Sequence, residues 1–221
     1  MKETTQPLRF EPRWPVVLTI VAVILLLALL PGRIRLVPMW VAYVVGGVVL
    51  VPIVAVGLTA ARARWLRIER VVTLLFFVVT AASSLANLAN VICSMAQKPE
   101  GITGLQLLAS SVAVWVTNVL TFSLLYGQMD RGGPEARVNH AAARTDWLFP
   151  QEGAPAGDVP AGWRPAFVDY LYLSYSTATA FSTTDVMPLT ARAKLMMMLE
   201  STIALVTIVV VASRAINIFG S

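Results

Sequence analysis

Apolar residues occur along this chain in long, nearly uninterrupted runs. A helix needs about 20 such residues to cross a bilayer, and most of the runs approach or exceed that length. They cover about residues 15–31, 38–60, 71–96, 104–127 and 190–218. The first run follows a charged start but is not followed by a small-residue cleavage site, which favours a retained span over a signal peptide. The pattern therefore predicts an all-α integral membrane protein with about five transmembrane helices.

One long polar segment, residues 128–164, follows the fourth apolar run. Its glycines and prolines predict a loop, with a short helix near 135–144. The loop contains His140, the only histidine, and without a second histidine or cysteine nearby we interpret it as a solvated residue and not a metal ligand. A cluster of large apolar side chains favours a loop that lies on the membrane surface: Trp147, Leu148, Phe149 and Trp163.

The segment after this loop, about 165–180, is partly apolar and too short to cross a bilayer. Pro165 suits a first helical turn, and Asp169 lies near the positive end of that helix. Fifteen helical residues extend roughly 22 Å, so the helix ends within the membrane, where the polar run Ser182–Asp185 begins. Irregular backbone at that depth is tolerated only where protein buries it or where it lines water. The pattern therefore predicts a re-entrant helix and loop, whose C-terminal dipole favours a cation.

The stretch Ser174–Thr190, with the sequence SYSTATAFSTTDVMPLT, resembles the pore segment of tetrameric potassium channels. That family carries patterns such as SxxTATTVGYGDxxPxT, and the two align without a gap. The matching positions are Ser174, Thr177, Ala178, Thr179, Asp185, Pro188 and Thr190. The resemblance implies that residues 104–221 form a pore-like module of a homotetramer: an outer helix, the 128–164 loop, a re-entrant pore helix with a filter-like loop, and an inner helix. Residues 1–103 are then an N-terminal three-helix membrane region.

The filter-like loop departs from the family pattern at its most specific positions. Ser182 and Thr184 stand where the family has glycines, and a non-glycine residue in that left-handed backbone costs roughly 1–2 kcal/mol. Ala180 replaces the threonine whose hydroxyl lies at the base of the filter, and Thr183 replaces the tyrosine. We therefore expect a ring of hydroxyls and four Asp185 carboxylates, which attracts cations without close discrimination by size.

The candidate filter and pore-lining residues are the end of the pore helix and the loop that follows it: Thr179, Ala180, Phe181, Ser182, Thr183, Thr184 and Asp185. Glu200 is a further candidate, because it lies about one third of the way into the last apolar run. A carboxylate within the membrane is costly and usually faces protein or water. Glu200 therefore either forms a hydrogen bond with the pore helix or lines the pathway. No cofactor is expected, and the ligands would be monovalent cations in transit.

Composition supports the membrane assignment and narrows the function. The chain is 57% hydrophobic and only 13% charged, whereas a soluble domain is about one quarter charged. The net charge of +5 comes from arginines at the ends of the runs, where they meet lipid headgroups, so nucleic acid is not an expected partner. There is no HExxH or GxSxG motif, so an enzyme is not expected. The expected partners are the bilayer and other copies of the chain.

The distribution of basic residues predicts the orientation in the cell (plasma or inner) membrane. With five spans, one side holds 13 of the 17 basic residues, and the other holds Arg33, Arg35, Lys98 and Arg214. The positive-inside rule then places the N-terminus and the pore-loop side in the cytoplasm. Potassium channels have their pore loop outside, so either one predicted span does not cross or the pore is inverted. We favour inversion.

Two other functions compete with a channel. A non-conducting membrane scaffold or sensor would retain a closed pore fold. A small-solute transporter would bind its substrate near the midplane between internal repeats, and the sequence contains no visible repeat. One re-entrant loop per chain cannot enclose a pore, so the channel hypothesis requires about four copies.

Overall fold

The computed structural model describes residues 14–29, 104–139, 144–155, 157–181 and 185–219. Within the second and third apolar runs it describes a smaller set of helical residues: 40, 44, 47–48, 51, 71–72, 74–76, 78–83, 85–86, 89–90 and 92–93. His140 and the central filter-like residues Ser182, Thr183 and Thr184 lie outside the described residues.

The described chain is mostly helical, as the sequence predicts. Its helices are α1 (Trp14–Leu29), α2 (Gly104–Met129), α3 (Pro134–Asn139), α4 (Phe167–Ala180) and α5 (Ala191–Phe219). Single 3-10 turns lie at Asp130–Gly132 and Pro150–Glu152. Two short strands, β1 (Trp147–Leu148) and β2 (Met187–Pro188), pair antiparallel with Trp147 opposite Pro188 and Leu148 opposite Met187.

Two of the described helices are long and apolar enough to cross a membrane. The qualifying stretches are Leu108–Gly132, which includes most of α2, and Ala191–Val210, the first part of α5. Helix α1 has 16 residues and is shorter than a typical span of about 20. The second and third predicted spans lie largely outside the described residues, so the predicted total of five remains a prediction.

Helix α2 is the central element, because α1, α4 and α5 all pack against it. On one side, Leu124 of α2 forms an apolar cluster with Ile20 and Val23 of α1 and with Phe76. On the other side, Phe122 and Tyr126 of α2 join a larger cluster of the described residues, with side chains from the loop, α4, the segment before β2 and α5. The other members of this cluster are Trp147 and Phe149 of the loop, Tyr170 and Leu173 of α4, Val186, and Ala193, Met197 and Ile203 of α5.

The loop between α2 and α4 folds into the protein. Trp147 is completely buried and Phe149 is 2% exposed, and the Trp147 ring lies 4.8 Å from the Tyr126 ring between centroids. These two side chains therefore pack inside the protein, and the location of the loop on the membrane surface remains a prediction. The physical reason is that the short β1–β2 pair turns the loop inward. Trp147 and Phe149 then fill the space between the loop ends of α2, α4 and α5 instead of facing lipid.

A tight turn links α2 to α3 and depends on glycine. Gly133 has a φ of 96°, and a Cβ atom there would lie 3.2 Å from the carbonyl oxygen of Gln128. A residue with a side chain is strained in that backbone conformation and also crowds α2. The Gly133 amide donates a hydrogen bond to the Asp130 carbonyl at 2.9 Å, which closes the turn.

Candidate functional site

Helix α4 enters between α2 and α5 from the loop end of these helices, the end at Met129 of α2 and Ala191 of α5. At its start, the Asp169 side chain accepts a hydrogen bond from the Ala166 amide at 2.7 Å, which confirms a carboxylate in the first turn. At its far end, Ala178 packs in a small cluster with Val119 and Ala204. Those two residues lie near the middle of α2 and of α5, so α4 ends about halfway along both long helices.

The chain then returns to the loop end. By Thr190, whose hydroxyl donates to Asp146 at 2.6 Å, it is beside the loop again. The distance to be covered is roughly 20 Å, since Ala204 lies 14 residues after Thr190 along a helix that rises about 1.5 Å per residue. Strand β2 makes part of this return, and the Leu189 amide donates to the Asp146 carbonyl at 2.8 Å. Helix α4 and the return segment thus lie beside one half of α2 and of α5, and their re-entry into a membrane remains a prediction.

Three predicted site residues lie together at the end of α4. Thr179, Ala180 and Phe181 are all exposed, and the Thr179 hydroxyl donates back to the Tyr175 carbonyl at 2.7 Å. Phe181 ends the helix in the left-handed conformation, with φ 54° and ψ 26°. Asp185 is also exposed on the return segment. In a single copy of the chain, the end of α4 is thus presented to the surroundings and is not enclosed.

Glu200 lies elsewhere, in a buried contact between three helices. Its side chain is completely buried, and its two carboxyl oxygens lie within hydrogen-bond distance of the hydroxyls of Tyr126 of α2 and Ser174 of α4. The side-chain amide of Asn118 donates to the Glu200 backbone carbonyl at 3.3 Å. Of the two alternatives that the sequence left open for Glu200, the structure contains the hydrogen bond with the short helix. One residue of α5 therefore links α2 to α4.

The Ser174 hydroxyl has two possible acceptors in this contact. The Ser174 hydroxyl lies within hydrogen-bond distance of Glu200 and also 2.7 Å from the Val119 carbonyl. A hydroxyl carries one proton and can donate to only one acceptor at a time. Both contacts are satisfied together only when the group at position 200 donates to Ser174, or when the two contacts alternate. A side chain with both a donor and an acceptor therefore suits this position.

Two buried aspartates fix the loop end of the module. The Asp146 carboxylate accepts one hydrogen bond from the Thr190 hydroxyl at 2.6 Å and two from the Arg192 guanidinium at 2.6 Å and 2.5 Å. The backbone amide of Asp146 donates to the Asp130 carboxylate at 2.9 Å. Asp130 also accepts from the Tyr170 hydroxyl at 2.7 Å. Both carboxylates are completely buried. They join the end of α2, the start of α4 and the start of α5 in one polar network.

An outer ion pair continues the network toward solvent. Arg131 contacts Glu152, which belongs to the second 3-10 turn. Partial burial raises the pKa of Glu152 above its ordinary value, and this outweighs the opposing effect of the Arg131 charge. The pair holds the Pro150–Glu152 turn against the end of α2.

The sequence did not reveal Asp130, Asp146 or Tyr126 as structural residues. Asp130 and Asp146 belong to a polar loop, where a carboxylate is expected to be solvated. One local feature of the sequence indicates that this part of the loop is ordered. Asp146 directly precedes the strand-like series Trp147, Leu148, Phe149, in which the first and third residues are buried. Tyr126 lay near the end of an apolar run, where an aromatic residue also suits the membrane interface.

Comparisons with known proteins give no relative on which to base a function. No protein-family model matches the chain, and neither a curated protein nor a solved structure matches it.

Proposed function

We propose that this chain is a multi-pass integral membrane protein and one subunit of a homotetrameric, cation-channel-like pore. The observation that supports this most is the path of α4, which ends about halfway along two helices that are each long enough to cross a membrane. Non-helical chain at mid-membrane depth requires burial in protein or contact with water. When several copies of this segment surround a common axis, the neighbouring copies bury one side of each segment and water in the pore contacts the other.

The end of α4 has the chemistry that a cation pathway needs. The C-terminal end of a helix carries a partial negative charge from its unpaired carbonyls. The exposed residues Thr179, in the last turn of α4, and Asp185, five positions after its end, add a hydroxyl and a carboxylate. Since Ser182 and Thr184 replace the glycines of the potassium-channel pattern, we propose weak selectivity among monovalent cations.

The outer faces of α4 and α5 support assembly of several copies. Large apolar or aromatic side chains remain exposed on both helices: Tyr172, Tyr175, Phe181, Leu195, Met198 and Leu205. Tyr175 also contacts Trp115 of α2 edge to face, with ring centroids 5.8 Å apart, so part of this face is already ordered. Neighbouring copies would cover these side chains and bring the ends of four α4 helices to a common axis.

Mass and ion flux together test the proposal. In mild detergent, light scattering is expected to give about four times the subunit mass of 23.9 kDa. Liposomes that contain the protein are expected to pass sodium, potassium and rubidium at similar rates. A monomer in detergent would contradict the channel proposal. A tetramer without flux would favour the non-conducting scaffold.

The Asp185→Asn variant is expected to reduce cation flux several-fold at about 0.01 M salt and to change it little at about 1 M. The Debye length falls from about 30 Å to about 3 Å between these concentrations, so a ring of carboxylates concentrates cations only at low salt. The matched control is Asp158→Asn, which removes an exposed loop carboxylate of the same charge. Equal effects of the two variants, or an effect independent of salt, would show that Asp185 does not act at the mouth of a pathway.

We also propose the inverted orientation, with the loop side in the cytoplasm, because 13 of the 17 basic residues fall on that side of a five-span chain. An Asn139→Cys variant in a Cys93→Ser background tests it in intact cells. A membrane-impermeant maleimide is expected to label this cysteine only after the cells are permeabilised. Labelling of intact cells would rule out inversion.

A further inference from the structure

A large cleft lies between α1, α2 and the start of α4. Its volume is about 600 Å³, within the range of about 300–1,000 Å³ that is typical of pockets for small ligands. Most of the wall is apolar and comes from α1 and α2, for example Leu18, Ala22, Leu120 and Leu124. The cleft follows the last turns of α2 toward its loop end, so an elongated apolar group would lie along the two helices.

The loop end of the cleft is basic. Arg137 and Arg164 line it, and none of the described lining residues is acidic. Arg137 is 5% exposed and is held in place, because its guanidinium donates to the Gly127 carbonyl at 2.5 Å and lies 5.0 Å from the centre of the Tyr170 ring. Arg164 is exposed and donates to the Arg137 carbonyl. The protein thus places two positive charges at one end of this apolar cleft.

We propose that this cleft binds one anionic phospholipid from the surrounding bilayer. An acyl chain occupies the apolar wall between α1 and α2, and the headgroup phosphate accepts hydrogen bonds from Arg164 and meets the charge of Arg137. Guanidinium groups pair well with phosphate, and basic pockets between membrane helices suit anionic headgroups. The proposal rests on the membrane placement proposed above, but it does not depend on a pore or a tetramer.

The depth of the cleft favours a lipid over a free phosphate compound. The membrane-length stretch of α2 ends at Gly132, which places the two arginines close to the level of the headgroups. Trp14 also lines the cleft and is 65% exposed, as expected for an interfacial tryptophan. A bound lipid would fill the space between α1 and the start of α4 and hold both against α2.

Native mass spectrometry of the purified full-length chain in mild detergent tests this. We expect one phosphatidylglycerol molecule per chain to remain bound, and phosphatidylcholine to bind more weakly. Arg164→Gln is expected to weaken phosphatidylglycerol binding about fivefold, the effect of one basic residue at a membrane surface. Ala22→Trp, which fills the apolar wall, is expected to abolish binding of both lipids. Arg144→Gln, an exposed arginine outside the cleft lining, is the control and should bind like the wild type.

Three results would overturn the proposal. Equal binding of phosphatidylglycerol by the Arg164→Gln and Arg144→Gln variants would show that Arg164 does not bind the headgroup. Competition by glycerol phosphate at the concentration of the lipid would indicate a site for a soluble phosphate compound. Lipid binding that appears only after deletion of residues 2–13 would identify the N-terminal segment as the occupant. Oligomer mass and ion flux, measured on the same samples, report separately on the proposed channel.

Discussion

Replacement of Glu200 by alanine is expected to lower the free energy of unfolding by about 3–5 kcal/mol and the unfolding midpoint by roughly 10 °C. The substitution removes the acceptor of the completely buried Tyr126 hydroxyl and one of the two contacts of the buried Ser174 hydroxyl, which keeps the Val119 carbonyl. A buried polar group without a partner loses its hydration without compensation. The change also leaves a cavity where α2, α4 and α5 meet. Thermal unfolding in mild detergent, followed by tryptophan fluorescence, measures the effect.

Two control variants identify the cause. Glu200→Gln keeps a donor and an acceptor at the same place, so we expect stability within about 1 kcal/mol of the wild type. Thr202→Ala alters an exposed side chain on the same helix, whose hydroxyl bonds only to the Met198 carbonyl in the preceding turn, and it should have little effect. Damage by glutamine equal to that by alanine would show that the carboxyl group itself is required. A wild-type midpoint for the alanine variant would show that Glu200 does not hold the helices together.

The long helices were predictable because apolar runs define them directly. The run at 104–127 became Gly104–Met129, and the run at 190–218 became Ala191–Phe219. The short helix predicted over 165–180 is Phe167–Ala180, since its length and the first-turn carboxylate of Asp169 are both local features. Local patterns of this kind need no knowledge of neighbouring elements.

The loop was not predictable in the same way, because its structure depends on distant partners. Asp146 meets Thr190 and Arg192 more than 40 positions away in the sequence, and Asp130 meets Tyr170 40 positions away. No periodicity relates such positions. The sequence suggested a membrane-surface loop for Trp147 and Phe149, and it does not show their burial, because the strand pairing beside them joins Trp147 to the distant Pro188. Glu200 was an intermediate case. A carboxyl group in an apolar helix is energetically costly, which indicated that Glu200 has a hydrogen-bond partner, but the sequence did not identify that partner.

The polar groups of the module fall into two sets with different expected roles. Glu200, Asp130 and Asp146 are buried and hydrogen-bonded, and they connect the helices. Thr179 is exposed in the last turn of α4, and Asp185 is exposed on the return segment. Substitution in the buried set should change stability first and flux only as a consequence. Substitution in the exposed set should change flux at unchanged stability. Measurements of stability and flux together therefore distinguish the residues that hold the helices together from those of the proposed pathway.

Removal of Arg192 is expected to destabilise the protein more than neutralisation of its partner Asp146. The Arg192 side chain is 55% exposed, whereas the Asp146 side chain is completely buried. An Arg192→Ala variant leaves a buried carboxylate with the Thr190 hydroxyl as its remaining side-chain donor among the contacts described above, and we expect a loss of about 2–3 kcal/mol. An Asp146→Asn variant leaves a guanidinium that returns to water, and its cost should be about 1 kcal/mol.

The double variant distinguishes this asymmetry from a simple loss of packing. Once residue 146 is a neutral amide, removal of Arg192 no longer strands a charge, so the double variant should be more stable than the sum of the single effects predicts by about 1–2 kcal/mol. Unfolding midpoints of the four proteins in the same detergent give this coupling energy. Additive effects would mean that Asp146 is hydrated in the absence of Arg192. The network at the loop end would then be open to water, and α5 would be positioned by the packing of Trp147 and Phe149 instead.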